Sequence, residues 1–183
     1  MKLPEMKLPD YRILAITAAL VASPVAAHAQ MAPAAAPACA ALDKSLPAPW
    51  SGWATQEPLT GGTDVAGAGK LVVGHIYLAG LSPSGGVTYA VPLPKPAATG
   101  TFAGVFALNI TAAGTYSMAL SDAAWIDVAP QGGTALTSVA HGHGPACTTI
   151  HKVVDFTLAP GTYVVQISGA SASPITIGVE PKS

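Results

Sequence analysis

The sequence predicts an all-β protein, an antiparallel β-sandwich preceded by a signal peptide and a short irregular N-terminal segment. Two observations predict this fold class. From Lys70 onward, short apolar runs recur about every 8 to 12 residues between glycine- and proline-rich turns, as is typical of sandwiches. No stretch keeps the 3.6-residue period of an amphipathic helix. We therefore place the β-sandwich domain, which would be jelly-roll-like, at residues 70–183.

The N-terminus has the three parts of a secretory signal peptide over residues 1–29. Lysines and an arginine precede an apolar run from Ile13 to Ala22, and Ala27-His28-Ala29 offers a small-residue cleavage site before Gln30. The apolar run is about half the length that a membrane-spanning helix needs. Translation from Met6 instead of Met1 would give a more ordinary signal length. The sequence thus predicts an exported protein, periplasmic or secreted, without a membrane span.

Cleavage after Ala29 leaves 154 residues, which suffice for one domain with a real core. Residues 30–69 are predicted to form a flexible Ala/Pro-rich lead and a capping segment, because prolines and glycines interrupt every periodic pattern there. Nine candidate strands follow: Leu71–Ala79, Val87–Val91, Gly104–Thr111, Gly114–Leu120, Trp125–Ala129, Ala135–Val139, His151–Leu158, Thr162–Ser168 and Ile175–Val179.

The alternation of apolar residues assigns faces to three of these strands. Tyr116, Met118 and Leu120 should share one face of their strand, and Val154, Phe156 and Leu158 one face of theirs. In the strand that begins at Trp125, the indole and the Asp127 carboxylate share a face, opposite Ile126 and Val128. We expect Asp127, Lys152 and Asp155 to lie on solvent faces of strands.

The composition of the mature chain excludes one class of partner. Residues 30–183 contain five lysines, seven carboxylates and no arginine. Such a chain has no basic patch to neutralise nucleic-acid phosphates. The partner classes that this composition allows are a protein or a small molecule. Five aromatic residues could form a sugar-stacking platform: Trp50, Trp53, Tyr77, Tyr89 and Trp125. Because the chain has so few aromatic residues, we expect most of these five to lie in the core.

The chain has two cysteines, Cys39 and Cys147. In an exported chain they are most simply one disulfide, which would tie the N-terminal segment to the body. A loop of that length would contribute about 4 to 5 kcal/mol in the chain-entropy description. The alternative is a free or metal-bound thiolate at Cys147.

Two Gly-Thr-Tyr turns carry a resemblance to a known fold. The segments Ala113-Gly-Thr-Tyr-Ser-Met-Ala-Leu-Ser121 and Phe156-Thr-Leu-Ala-Pro-Gly-Thr-Tyr163, with the strand at Trp125 between them, resemble bacterial pre-peptidase C-terminal domains. The likeness covers roughly residues 100 to 180 and implies a jelly-roll-like sandwich. Members of that family are usually appended to secreted hydrolases, whereas no catalytic domain is apparent here.

The segment His141-Gly-His-Gly-Pro-Ala-Cys147 holds the densest group of metal-ligating side chains. In an extended backbone, His141 and His143 project to one side and could meet one zinc or copper ion. His151, His75 or Asp127 could complete the ligand set. The alternative is a surface loop whose histidines are solvated or hydrogen-bonded to the backbone.

At finer grain the chain resembles a family of small exported alphaproteobacterial proteins that carry the name homogentisate 1,2-dioxygenase. The carrying segments are Trp50-Ser-Gly-Trp-Ala54, Ala124-Trp-Ile-Asp-Val128, the histidine segment and Lys152-Val-Val-Asp-Phe156. The resemblance implies a metal-dependent dioxygenase whose iron is held by two histidines and a carboxylate. The chain contains no His-x-Asp or His-x-Glu, the local form of that ligand set.

Two functions from different classes follow from these features. The first is an exported, non-enzymatic β-sandwich that serves as a binding or structural module, with the histidine segment as an interaction surface or weak metal site. The second is a metal-dependent enzyme with zinc, copper or iron at His141, His143 and His151. An enzyme would need three ligands converging on a partly apolar pocket, whereas a module would leave them apart.

Overall fold

The computed structural model describes residues 39–182, with side-chain surroundings from residue 42 onward. The predicted signal peptide and the first residues of the lead lie outside the described residues. Two 3₁₀ helices, Cys39–Ser45 and Ser84–Gly86, accompany eleven strands. The strands are β1 Glu57–Thr60, β2 Gly69–Leu71, β3 Ile76–Gly80, β4 Ser82–Pro83, β5 Phe102–Ile110, β6 Gly114–Leu120, β7 Trp125–Pro130, β8 Ala140–Gly142, β9 Lys152–Leu158, β10 Gly161–Ala170 and β11 Ile175–Pro181.

The strands form two sheets that enclose one main core, which confirms the predicted all-β sandwich. The first sheet has the strand order β1-β3-β11-β6-β9-β8, and the second has the order β2-β5-β10-β7. Both predicted apolar faces, Tyr116-Met118-Leu120 and Val154-Phe156-Leu158, point into this core. They meet Phe106, Val128 and Ile167 from the other sheet.

The sheets are mixed, whereas the sequence predicted an antiparallel arrangement. The parallel pairs are β1 with β3 and β2 with β5. They arise because the predicted strand Leu71–Ala79 is broken between Leu71 and Ile76, where Gly74 has a φ of 88°. The break sends β2 into one sheet and β3 into the other.

Two predicted strands form no ladder. Residues 87–91 lack strand pairing, although they form a short, mostly apolar run of the kind that predicts a strand. Instead, these residues bond to the buried Gln166 side chain. Its Oε1 accepts from the N–H groups of Ala90 and Val91, and its Nε2 donates to the Val91 carbonyl. Residues 135–139 are likewise irregular, because they cross from the end of β7 to β8 in the opposite sheet. Leu136 from this segment packs inward, beside the main core.

The sheets also begin earlier than the predicted domain boundary at residue 70. β1 lies within the predicted lead and pairs with β3 through four residue pairs. Pro58 is tolerated in β1 because this strand is at the edge of its sheet, where a missing N–H need not break a ladder. The lead is therefore partly a structural element of the sandwich.

The two Gly-Thr-Tyr turns have one structural role. The Tyr116 hydroxyl donates to the Ala112 carbonyl at 2.8 Å, and the Tyr163 hydroxyl donates to the Ala159 carbonyl at 2.9 Å. This tyrosine-to-upstream-carbonyl bond is the tyrosine corner of β-sandwiches. Each corner lies where the chain changes sheet, from β5 to β6 and from β9 to β10. The corners therefore fix how the two sheets lie on each other.

A second, smaller core covers the outer face of the six-stranded sheet. It contains Trp53, Ile76 and Ala119, with Trp50 packed against it. Trp50 and Trp53 meet edge to face, with ring centroids 5.9 Å apart. A Cβ added to Gly178 would lie 3.1 Å from the Trp50 ring and would also strike Ile76. Because Gly178 has no side chain, Trp50 and Trp53 can pack directly against this strand.

Among residues 39–182, no helix is long and apolar enough to cross a lipid bilayer.

Candidate functional site

The predicted metal ligands are spread over three places in the described structure. His141 is in β8 and lies opposite Val154 of β9. His143 follows β8, and its Nδ1 lies 2.9 Å from the His151 carbonyl oxygen. His75 precedes β3, and its Nδ1 lies within hydrogen-bond distance of Glu57 Oε1, at 2.9 Å. Four strand spacings separate β3 from β8, which is about 19 Å.

His141 and His143 separate because β8 ends at Gly142. Beyond that residue the strand alternation no longer applies, and the chain turns back so that the Gly144 N–H donates to the Ile150 carbonyl at 3.2 Å. The rings of His143 and His151 meet edge to face at 5.8 Å. Across residues 39–182, no three His, Cys, Asp or Glu side chains are placed to hold a metal ion.

The iron implied by the dioxygenase resemblance does not fit these residues. A facial triad needs two histidines and a carboxylate around one point. Asp127, the carboxylate proposed for that role, already accepts two hydrogen bonds from Trp125 and Gln166. His143 is likewise engaged with a backbone carbonyl. In the described residues, His141 and His143 are exposed, and His143 lies within hydrogen-bond distance of a backbone carbonyl.

The segment that carries Cys147 is fastened to the N-terminal 3₁₀ helix. The Asp43 carboxylate accepts hydrogen bonds from the Thr149 N–H at 2.8 Å and from the Thr149 hydroxyl at 2.6 Å. No cysteine in the described part of the chain is a free thiol. The side chain of Cys39 lies outside the described residues, so the Cys39–Cys147 pairing stays a prediction.

The strongest candidate site is a cleft between the sheets, which we call the β7–β8 cleft. It lies between β7, which is an edge strand of its sheet, and the pair β8 and β9 at the edge of the other sheet. Its volume is about 390 Å³. Its floor is apolar and consists of Ile126, Leu136, Val154 and Phe156. This volume is within the range of small-molecule sites, about 300 to 1,000 Å³.

The irregular crossing after β7 creates this cleft. Residues 131–139 leave β7 through a turn at Gly132, whose φ is 73°. The Leu136 N–H then donates to the Val128 carbonyl at 2.7 Å, which holds the crossing close to the free edge of β7. Thr137 and Ser138 consequently line the cleft beside Leu136. A regular strand at 135–139, as predicted, would have closed this edge.

Polar side chains from both sheets surround the mouth of the β7–β8 cleft. Asp127 comes from β7, His141 from β8 and Lys152 from the start of β9. The Lys152 ammonium donates to the carbonyls of Ala123 and Ala124, at 3.3 and 2.7 Å. Burial lowers the pKa of Lys152 below its ordinary value, and the Asp122 carboxylate partly offsets this by raising it.

Trp125 is the most unusual side chain at the cleft, because half of its surface is exposed. The relative exposure is 50%, although tryptophan is usually largely buried. The indole Nε1–H donates to Asp127 Oδ1 at 2.8 Å. Lys152 Nζ lies 5.8 Å from the ring centroid, within cation–π distance. The exposed ring is thus held in one orientation.

A buried amide supports the partner of that indole. Gln166 has 1% exposure and lies opposite Asp127 in the β10–β7 ladder. Its Nε2 donates to Asp127 Oδ2 at 3.1 Å and to the Val91 carbonyl at 3.0 Å. The predicted face is confirmed, since Trp125 and Asp127 lie opposite the buried Ile126 and Val128. No sequence pattern predicted the Gln166 support, which depends on the fold.

Trp125 also lines a second cleft. Its volume is about 400 Å³, and its walls are the proline-rich segment 93–98, Ala123, Ser168 and Gly169. Among the residues that line this second cleft, Lys95 is the charged one. Trp125 lines both clefts, so the exposed indole stands between two concave surfaces.

Asp155 forms a different polar cluster on the outer face of the six-stranded sheet. We expected it on a solvent face, but it has 5% exposure. Ser117 donates to Asp155 Oδ1 at 2.7 Å, and Lys182 forms an ion pair with Oδ2. The cluster fastens Lys182, which directly follows β11, to β6 and β9.

No protein-family model matches the chain, and no curated protein is detectably similar to it.

Proposed function

We propose that the protein is an exported binding module whose small-molecule ligand occupies the β7–β8 cleft. The observation that carries the proposal is Trp125, which is half exposed and yet fixed by Asp127 and Lys152. A large apolar surface held in one orientation loses little conformational entropy when a ligand covers it. The apolar floor and the few polar groups at the mouth have the composition of a ligand site.

Export and the disulfide belong to the same proposal. Residues 1–29 direct the chain to the periplasm or the medium, and Cys39 pairs with Cys147 in that oxidising environment. The Asp43–Thr149 hydrogen bonds support this pairing, because they hold the segments of both cysteines together. The intact mass of the exported protein tests both points. We expect a chain that starts at Gln30 and weighs two hydrogen atoms less than its reduced form.

A fragment screen by NMR tests the binding site and requires no assumption about the ligand. The probe is a library of aromatic and hydroxylated fragments at millimolar concentration, and the readout is the set of indole Nε1–H signals. We expect fragments to shift the Trp125 signal of the wild type. In Trp125→Ala the binding, followed through the NMR signals of the fragments themselves, should disappear. Trp50→Phe is the matched control, because Trp50 lies on the outer face of the other sheet. Fragments that bind only elsewhere, or not at all, would overturn the proposal.

Metal analysis of the same protein separates this proposal from the metal-dependent enzyme. We expect iron, copper and zinc well below one equivalent, because the described residues bring no three ligands together. Near-stoichiometric metal that is lost in the His141→Ala/His143→Ala double variant would favour the enzyme instead.

A further inference from the structure

We infer that the ligand is a neutral oligosaccharide, with one sugar ring stacked on the exposed face of Trp125. This inference rests on the proposed function, because it names the ligand class of the same site. Sugar rings have an apolar face of C–H groups and a rim of hydroxyl groups. They therefore need an aromatic surface and, beside it, hydrogen-bonding groups of both kinds.

Trp125 meets the first requirement. Indole is the aromatic side chain with the largest face, and its C–H-binding π surface is available when the ring is solvent-exposed. Here the ring is half exposed, and its polar N–H is already bonded to Asp127. The ring plane cannot rotate to bury itself without breaking that bond. The stacking surface thus exists before the ligand arrives.

Asp127 and Lys152 meet the second requirement. Each Asp127 oxygen accepts one hydrogen bond from the protein, and a carboxylate oxygen can accept two. The Lys152 ammonium has three protons, and two of them go to backbone carbonyls. An acceptor and a donor are consequently left for ligand hydroxyls at the edge of the ring. Thr137 and Ser138 add hydroxyl groups on the opposite wall.

The charges around the site favour a neutral ligand. Asp127 and Lys152 carry opposite charges and line the same cleft. An anionic polymer would meet the Asp127 carboxylate directly beside the stacking surface. The second cleft adds a single lysine, Lys95. Among the described residues, neither cleft has the cluster of cations that recognises carboxylate or sulfate groups.

The position of Trp125 between two clefts indicates a chain of sugars instead of a single one. Because Trp125 lines both clefts, a sugar ring stacked on the indole would have two concave surfaces within reach, one floored by Val154 and Phe156 and the other walled by Pro94 and Pro96. Neighbouring sugar units would occupy these surfaces. A peptide strand fits less well, since the Val128 carbonyl at the free edge of β7 is already taken by Leu136.

Titration with defined hexasaccharides tests this inference. The probes are neutral hexamers of glucose, xylose, mannose and N-acetylglucosamine, with a galacturonate hexamer as the anionic probe and the free monosaccharides as monomers. Each is followed through the Trp125 Nε1–H signal of the exported, disulfide-bonded protein. We expect at least one neutral hexamer to bind in the millimolar range or tighter, and about tenfold or more tightly than its monomer.

Variants assign the binding to the proposed contacts. Isothermal titration calorimetry measures the affinities of the variants, because a substitution of Trp125 removes its indole signal. Trp125→Ala should weaken the hexamer at least about tenfold, and Trp125→Phe should weaken it less, because a smaller aromatic face remains. Trp50→Phe should leave the affinity unchanged. Asp127→Asn should weaken binding while the Trp125 Nε1–H signal stays sharp, which shows that the ring keeps its orientation.

The other outcomes separate the two proposals. If fragments bind at Trp125 but none of the neutral hexamers does, the saccharide inference is wrong and the binding-module proposal stands. If the galacturonate hexamer binds more tightly than every neutral hexamer, the charge argument fails and the inference is again wrong. If neither fragments nor sugars bind at Trp125, both proposals fail together.

Discussion

Trp53 and Trp125 make the same hydrogen bond in opposite surroundings. The Trp53 Nε1–H donates to Thr149 Oγ1 at 2.9 Å, and the Trp125 Nε1–H donates to Asp127 Oδ1 at 2.8 Å. Trp53 has 0% exposure, whereas Trp125 has 50%. The bond in the first case satisfies a buried polar group. In the second case water could satisfy the indole equally well, so the bond serves to orient the ring.

The difference in exposure between the two tryptophans arises from the segments that cover the outer faces of the two sheets. On the six-stranded sheet, residues 46–53 fold over Gly178 and form a second core. On the other sheet, the equivalent cover is residues 87–91, which Gln166 holds beside Asp127. This cover does not extend over Trp125. One tryptophan therefore contributes to stability, and the other remains available to a ligand.

Alanine substitutions give the largest test of this comparison. Trp53→Ala should lower the free energy of unfolding by about 3 to 5 kcal/mol, because it empties a fully buried site. Trp125→Ala should lower it by less than about 1 kcal/mol, the scale of an exposed cation–π contact. Urea denaturation at pH 7 measures both. If Trp53→Ala fails to fold, Trp53→Phe is compared with Trp125→Phe. Equal losses of stability at the two positions would contradict the contrast between a structural Trp53 and an available Trp125.

Gly178→Ala tests the support beneath the buried pair. The added methyl would strike Ile76 and come within 3.1 Å of the Trp50 ring. We expect a loss of about 1 to 3 kcal/mol from this overpacking, because Ile76 Cδ1 ends a flexible side chain but that side chain is itself buried. Gly85→Ala is the matched control, since nothing lies within 4 Å of its Cβ position. A neutral Gly178→Ala would mean that the indoles do not rest on this strand.

Each indole hydrogen bond can be removed by replacing its acceptor, which in both cases also has a second hydrogen-bond partner. Thr149→Val keeps the shape but leaves the buried Trp53 N–H without an acceptor and removes the hydroxyl bond to the buried Asp43, so we expect a loss of about 2 to 3 kcal/mol. Asp127→Ala leaves the exposed Trp125 N–H to water but also removes the Oδ2 acceptor of the buried Gln166 amide, so we expect a loss of about 1 kcal/mol that comes from Gln166 and not from the indole. Thermal unfolding measures both. The Asp127 variant should also broaden the Trp125 indole signal in NMR, since the ring loses its fixed orientation.

The smallest expected effect concerns Glu180 and pH. Burial raises the pKa of Glu180 above its ordinary value near 4.5, and His75 partly lowers it. A raised carboxyl pKa stabilises the folded state below the ordinary value, and this contribution is lost as the pH rises through the folded-state pKa. Glu180→Gln should therefore raise the unfolding temperature at pH 7 relative to the wild type, and less so at pH 4. A gain that is equal at both pH values would exclude this carboxyl as its source.

Alternation in the sequence predicted the parts of the fold that depend on it. β6 begins and ends where predicted, at Gly114 and Leu120, because every second side chain there enters the core. The pattern failed at residues 87–91, where Gln166 replaces a strand partner. It also failed at residues 71–79, where the φ of 88° at Gly74 breaks the strand. Neither event is encoded in the spacing of apolar residues.

The candidate site was only half predictable. Alternation placed Trp125 and Asp127 on one face, and His141 and Lys152 were singled out separately. The sequence could not show that β7 and β9 bring these residues to one cleft, because the two strands belong to different sheets. The shared face of His141 and His143 was an extrapolation of strand geometry beyond Gly142, where β8 ends. The exposure of Trp125 depends on where the cover at residues 87–91 stops.

The two tyrosine corners separate the architecture from the loops that build the clefts. Both corners lock their own sheet crossings, at residues 112–116 and 159–163, through a bond within five residues of chain. The cleft walls come instead from residues 93–98 and 136–138, which lie outside both corners. Substitutions in these walls should therefore leave the pairing of the sheets intact, except at Leu136, which packs against the core. Libraries that vary the two segments and keep Leu136 would make the sandwich a scaffold for selecting new binding specificities around a constant Trp125.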